Sequence, residues 1–337
     1  MPKMKAAICT GYGPPDVLTI AERDRPVPRD DEVLIKVYAA SVTNSDLFIR
    51  SSDVPLRVRI PLRLMMGITR PRKEILGEVL SGEIVQIGSG IRRFRVGDRV
   101  YGLTGFSLGA YAEYKCMKET DSKQGCLAVK PANVGFEAAT SAAYGGLLAL
   151  QQLERGDIQP GDKVLVYGAS GTSGTVAVQY AKHLGAEVTG VCSARHAEFV
   201  KSLGADTTLD YTNAECVAML ESYDFVLDAV GKYRTSELKE ACRRQMAQPG
   251  ERRGMYVSID DGALRLESER LDRMRDLVEA GIVTPITDKV YPLEQIVEAH
   301  RYVELGHKRG NVAIAVNAIT VDEVTRPSTS RPASGPP

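Results

Sequence analysis

Three glycines fall within the eight residues YGASGTSG, Tyr167 to Gly174, between the apolar run KVLV and the helical pattern TVAVQYAKHLGAEV. Glycine surrenders packing area, so its density here points to a backbone that something approaches closely. The stretch Ala169-x-Gly171-x-x-Gly174 maps onto G-x-G-x-x-G with alanine at the first position. Set after a strand and opening a helix, that spacing suits a dinucleotide. Gly171 would let the chain approach a pyrophosphate, and Gly174 would let the helix pack on the strand. The helix N-terminus adds free N–H groups and a favourable dipole for the anion. Ser170, Gly171, Thr172 and Ser173 are therefore candidate contacts. A tight strand-to-helix turn by itself also selects glycine, which is the competing reading.

A second strand ends in VTGVCSARH, and no Asp or Glu stands between Val188 and Ala197. A carboxylate there would accept from the ribose hydroxyls of NAD. Instead Ser193 can donate a hydrogen bond and Arg195 carries a permanent charge, a pair suited to the 2′-phosphate of NADP(H). Tyr211, at the end of the third strand, would lie beside the same phosphate. The alternatives are a solvated arginine heading a surface helix and an ordinary strand aromatic.

The elements that must hold these residues follow from periodicity. From Lys5 to about Lys130 the pattern is β-like, in short alternating runs such as EVLIKVYAA, GEVLSGEIVQIG and VGDRVYGL. That spacing suggests a barrel-like antiparallel unit. FEAATSAAYGGLLALQQL then brings helical spacing, and strands KVLVYGA, EVTGVC, TTLDY, DFVLDAV and GMYVSI alternate with helices at 175–184, 194–203 and 237–246. Repeated β-α units of this length imply a parallel sheet with right-handed crossovers. A helix over 267–280, then a strand, a helix and a last strand, complete the fold.

The chain has 337 residues, 43% of them hydrophobic, enough for two domains. Lys plus Arg and Asp plus Glu both number 43, so no global charge draws it to nucleic acid or to an anionic membrane. No apolar run is long enough to span a bilayer, and the N-terminus has no signal-type apolar segment. Six scattered cysteines, none in a C-x-x-C pair, read as reduced thiols in a cytoplasmic protein. Residues 319–337, rich in Pro, Ser and Gly, are expected to be disordered.

VGDRVYG, LGAYAEYKC, IQPGDKVLVYGASGTSGTVAVQYAKHLGAEVTGVCSARH, FVKSLGADTTLDYT and YPLEQIVEAHRYVELGHKRGNV together make the sequence resemble the medium-chain dehydrogenase/reductases. It is most similar to their zinc-independent, quinone oxidoreductase-like branch, and the likeness covers nearly the whole chain. The resemblance implies an α/β protein: a GroES-like β-barrel catalytic domain over 1–132, completed by 286–318, and a doubly wound Rossmann domain over 133–285. It also implies a nicotinamide cofactor, which Ser193 and Arg195 make NADP(H), a small carbonyl or quinone substrate, and a homodimer. Val230, in the DAVG that ends the fourth strand, and Asn311, in KRGN, fall on segments that contact or close on the cofactor.

The zinc enzymes of the same superfamily place two cysteines and a histidine at positions that here hold Thr43, Tyr144 and Glu78. Those three make a poor zinc set, and the four-cysteine lobe is absent, so no zinc is expected. Without a metal, something else must polarise a carbonyl and stabilise a developing oxyanion. Thr43, Asn44 and Tyr144 are the candidate donors, Tyr144 also able to deliver a proton, with a buried helix aromatic as its competing reading. Asp46 falls on a supporting acid and is read as structural. DVPLRVRIPLRLMMGI would either cover the substrate, with Met65 and Met66 lining it, or pack into the core with its arginines solvated. Two other functions stay open at this point: a zinc alcohol dehydrogenase, and an NADPH-binding structural or regulatory protein with little turnover.

Overall fold

The computed structural model describes residues 1–53, 56–231, 237–244 and 254–318. The expected disordered tail lies outside the described residues. The chain divides into two units: residues 1–140 with 291–301 and the stretch from 314, and residues 141–290 with 302–313.

In the first unit β1 (Lys3–Cys9) and β2 (Leu18–Asp24) pair antiparallel, in register from Lys3 opposite Asp24 to Cys9 opposite Leu18. The alternating run EVLIKVYAAS forms β3 (Glu32–Ser41), with Val33, Leu34, Ile35 and Val37 fully buried. Two helices follow within the stretch read as β-like short runs. α1 (Asn44–Ser51) starts because Thr43 and Asp46 form a capping box, each side chain taking a backbone N–H of the other. α2 (Leu56–Met66) carries Pro61 inside it. β4 (Val79–Ile87), β5 (Arg99–Leu103), β6 (Tyr114–Lys118) and β7 (Cys126–Val129) continue the antiparallel set. β3, β4, β5 and β7 lie side by side in that order, and β6 also pairs with β3.

Of the two alternatives for this stretch, the described side chains of α2 do not follow core packing with solvated arginines. Among its described side chains Arg59 and Arg63 are half-buried, Leu56, Ile60, Leu64 and Met65 are exposed, and Met66 is buried.

α3 (Phe136–Leu153) leads into the second unit. There β8 (Lys163–Tyr167), α4 (Thr172–His183), β9 (Glu187–Cys192), α5 (Ala197–Ser202), β10 (Thr207–Asp210), β11 (Phe225–Asp228), α6 (Glu237–Arg244) and β12 (Met255–Ser258) alternate as the period change implies. All the strand pairs are parallel, in the order β10-β9-β8-β11-β12. The chain winds outward from β8 in one direction and then in the other, so β8 and β11 flank the switch point where such sheets bind ligands. Continuous apolar runs suit strands covered on both faces, and Leu165, Val191, Leu209 and Val226 pack in one core cluster. α7 (Ser268–Glu279), β13 (Thr287–Pro292), α8 (Ile296–Glu304) and β14 (Asn311–Ala315) follow. No helix among the described residues is long and apolar enough to cross a membrane.

Candidate functional site

The turn between β8 and α4 is built by what its glycines leave out. A Cβ on Gly174 would lie 2.1 Å from the Gly168 carbonyl oxygen and 2.9 Å from the Ala169 Cα, so the helix rests directly on the turn. A Cβ on Gly171 would meet only the Gly168 oxygen, at 3.3 Å, which leaves its outer side open to a ligand. Gly171 is the N-cap of α4, and no side chain caps the helix. The first-turn N–H groups are therefore available to an anion. Thr172 and Ser173 are buried here, Ser170 and Gly171 half-buried.

A segment distant in sequence lies along this turn. Gly310 N–H donates to the Ser170 carbonyl (2.8 Å), and Thr172 Oγ1 donates to the Gly310 carbonyl (2.8 Å). Lys308 Nζ stands 2.5 Å from Thr172 Oγ1 and 2.6 Å from the Gly310 oxygen. Desolvation pushes this lysine down to about 8, against a smaller opposing pull from Asp288. An amine that has lost water and gained no carboxylate contact, set at the head of a helix, is ready for an anionic partner. Sequence reasoning noted KRGN but singled out Asn311, which is buried at the start of β14. The two neighbouring cations were the missed signal.

At the end of β9, Ser193 is half-buried and Arg195 exposed in a short 3-10 turn, Ala194–His196. Tyr211, 45% exposed, donates its backbone N–H to the Cys192 carbonyl (3.2 Å), which places it beside Ser193. His196 is buried, its Nδ1 3.2 Å from Ser170 Oγ. Burial holds its basicity down, and the charges of Arg195, Arg309 and His307 add to that, opposed by Asp288. Arg309 is thus a second arginine at this corner, brought by the same segment as Lys308. Asp210, ending β10, is an acid the strand-by-strand reading passed over. Its carboxylate accepts from Thr212 N–H (3.0 Å) and Oγ1 (2.8 Å), and these bonds, with one from the Ala194 backbone, hold it below the usual carboxylate range.

The loop after β11 is shaped by Asp228, which is fully buried. Its Oδ1 accepts from the N–H groups of Val230 (3.0 Å) and Gly231 (3.1 Å). Its Oδ2 takes Tyr256 Oη (2.9 Å), Ser258 Oγ (3.1 Å) and the Lys239 ammonium (2.6 Å). A buried carboxylate so satisfied fixes the backbone around Val230. A Cβ on Gly168 would fall 2.6 Å from Val230 Cγ2, so Val230 sits over the glycine turn. Tyr144 is half-buried on α3. Its neighbour Gly145 would, with a Cβ, come 2.5 Å from the Thr172 carbonyl, which brings α3 against the head of α4.

In the first unit Thr43 is buried, and its hydroxyl is spent on the capping box: it donates to Asp46 Oδ2 (2.8 Å) and accepts from Asp46 N–H (3.2 Å). Asn44 is exposed. Asp46 also accepts from Gly77 N–H (3.1 Å), in keeping with a structural role. Burial raises Asp46 to about 6 despite these bonds. Glu78 is pushed up to about 8, by desolvation first and then by the Asp46 charge, against smaller lowering effects of Ser45 and Thr43. The two acids belong to one cluster, a pairing that separation in sequence concealed.

Hydroxyl, carboxyl and phenol groups at the three metal-ligand positions offer neither thiolate nor imidazole, and the Thr43 hydroxyl is already engaged. This donor set does not fit a catalytic zinc. Among the described residues no three His, Cys, Asp or Glu side chains are grouped to hold a metal. The turn at 168–174 does fit a dinucleotide: an open glycine, an uncapped helix and a cation beside it.

The family described as "Alcohol dehydrogenase GroES-like domain" matches residues 29–132, and that described as "Zinc-binding dehydrogenase" matches 203–314. The chain is 30% identical to 2-methylene-furan-3-one reductase of Solanum lycopersicum, over 93% of this chain and 79% of that one. It is 29% identical to the chloroplastic NADPH-dependent alkenal/one oxidoreductase of Arabidopsis thaliana, with the same coverage of 93% and 79%. The solved quinone oxidoreductase of Coxiella burnetii superposes with a TM-score of 0.77 at 27% identity, covering 94% of this chain and all of that one.

Proposed function

The chain belongs to the medium-chain dehydrogenase/reductases, and from that membership and the site we propose that it is an NADPH-dependent, zinc-independent reductase of quinones, enones and related carbonyl compounds. It is an oxidoreductase of the kind its relatives are. The observation that carries the cofactor is the glycine turn with Lys308 at the uncapped head of α4. Ser170, Gly171, Thr172 and Ser173 would hold the pyrophosphate, Val230 the nicotinamide ribose through its backbone, and Asn311 would lie on the segment that closes on the cofactor. Ser193, Arg195 and Tyr211 would hold the 2′-phosphate.

NADPH, when bound, supplies the hydride. The chain's own part is to bind, orient and protonate. Tyr144 is the proposed donor to the developing oxyanion, its hydroxyl proton passing to the substrate oxygen. Asn44 is the second candidate donor, and Thr43 acts through its cap on α1 rather than as a free hydroxyl. Zinc has no part in this reading, because the donor set does not fit it. The free cysteines, five of them buried, suit a reducing cytoplasm. The family expectation of a homodimer is carried as part of the proposal.

The test is steady-state oxidation of NADPH with a panel of quinones, enals and saturated alcohols. Turnover on quinones or enals with NADPH is the expected result. Turnover confined to alcohols with NAD, or no turnover on any of these compounds, would overturn it.

A further inference from the structure

We propose that the outward face of α2, with the loop that follows it, docks on an anionic lipid surface. Leu56, Ile60 and Leu64 recur every fourth residue and form one stripe, 66%, 55% and 60% exposed. Met65 and Ile68 widen it, at 53% and 66%. A helix of a globular protein normally turns such a stripe inward. Here Arg63 is turned to the body instead: its guanidinium lies 4.6 Å over the Tyr12 ring, and its Nε donates to Ser52 Oγ (3.2 Å). The apolar side is left facing outward, which marks an interaction surface.

The loop after α2 places cations beside this stripe. Gly67 N–H donates to the Arg63 carbonyl (2.8 Å) and Arg72 N–H to the Met66 carbonyl (2.6 Å), so the chain folds back on the helix end. Gly67, at φ +132°, permits the fold, since a Cβ there would lie 2.0 Å from the Arg70 oxygen. Arg70, Arg72 and Lys73 are exposed, and none is in an ion pair among the described residues. Glu74, next in sequence, is tied to Arg23 at 2.5 Å. From Ser51 to Lys73 there are six cations and one acid, Asp53.

Charge decides the occupant. A second copy meeting this patch about a two-fold axis would bring Arg70, Arg72 and Lys73 towards their own like charges. An anionic bilayer supplies an apolar boundary and negative headgroups at adjacent depths. α2 is 11 residues long, so it would lie in the interface plane. An apolar face plus a basic cluster makes the two signals that lasting attachment needs.

The experiment is co-sedimentation of the full chain with phosphatidylcholine vesicles, with and without roughly one-third phosphatidylserine. The protein should sediment with the anionic vesicles only, and less so at high salt. Each near-surface cation contributes about fivefold, so Arg70→Gln with Arg72→Gln should cut partitioning by roughly twenty-five-fold. Ile60→Ser with Leu64→Ser should cut it more than tenfold. Thermal unfolding midpoints should match the wild type, because all four side chains are exposed. Equal binding to neutral vesicles, no binding to either, or unaltered partitioning of both variants would overturn the proposal. So would a dimer that Ile60→Ser with Leu64→Ser converts to monomer, since the stripe would then be buried between copies.

Discussion

Glu78→Gln should change how stability depends on pH. In the folded chain Glu78 holds its proton up to about 8, against an ordinary 4.5, through desolvation and the neighbouring Asp46 charge. Between those two values the unfolded chain has released the proton and the folded chain has not, so raising the pH favours unfolding across this window. At 1.36 kcal/mol per unit the full span is an upper bound. Relaxation and the shared titration with Asp46 reduce it to on the order of 2–4 kcal/mol. Asp46, raised to about 6, adds a smaller fall of the same sign at lower pH. Lys115 and Lys308, both lowered to about 8, act in the opposite sense and only above that value. The assay is urea unfolding of wild type and variant at several values from pH 5 to 8. The variant should match the wild type at the acid end and exceed it by on the order of 2–4 kcal/mol at the alkaline end. A constant difference across the range, or a wild type that gains stability over it, would refute the buried-acid account.

Arg195→Ala should weaken NADPH by about tenfold to a hundredfold and leave NADH nearly unchanged, because the lost charge-assisted bond of roughly 1.5–3 kcal/mol serves only the 2′-phosphate; equal losses in titrations of both cofactors would return Arg195 to the surface. Lys308→Met should weaken NADPH and NADH alike, and wild-type affinity for both should fall as pH rises through about 8, where Lys308 loses its charge. Binding that is independent of pH between 7 and 9, or a loss confined to NADPH, would contradict that placement. Tyr144→Phe should lower kcat by roughly 2–4 kcal/mol in barrier while the NADPH dissociation constant stays put; unchanged turnover would leave Tyr144 as a core aromatic. Purified protein should contain no stoichiometric zinc and keep its activity in a chelator, and about one metal per chain by atomic emission, lost together with activity, would be the contrary result.

What could be read from sequence was what local period and spacing encode. β8 to β12 were legible because apolar runs of strand length alternate with helical spacing. The glycine turn was legible because close approach demands glycine at set intervals, as the 2.1 Å gap at Gly174 illustrates. The expected helix from 175 in fact begins at Thr172, because the turn itself supplies the first helical residues. The helices at 44–51 and 56–66 were hidden inside a β-like stretch, although Thr43-x-x-Asp46 is a capping signal. Lys308 and Arg309 at the turn, and Glu78 with Asp46, depend on contacts between distant segments that no local pattern records.

α2 shows the limit most sharply. Spacing at every fourth residue says that Leu56, Ile60 and Leu64 share a face, but not which way that face looks. Covering a substrate and packing inward were both open from the sequence, although burial of apolar area normally decides orientation. Here Tyr12 and Ser52 offer Arg63 a partner on the body side, and the helix turns over. Equal totals of acids and bases argued against an anionic surface, yet a sum over 337 residues is blind to position. The field within a Debye length of α2, about 8 Å at physiological salt, comes from nearby groups such as Arg70, Arg72 and Lys73. A neutral chain can therefore hold one strongly cationic apolar face, and its partner is decided by that face.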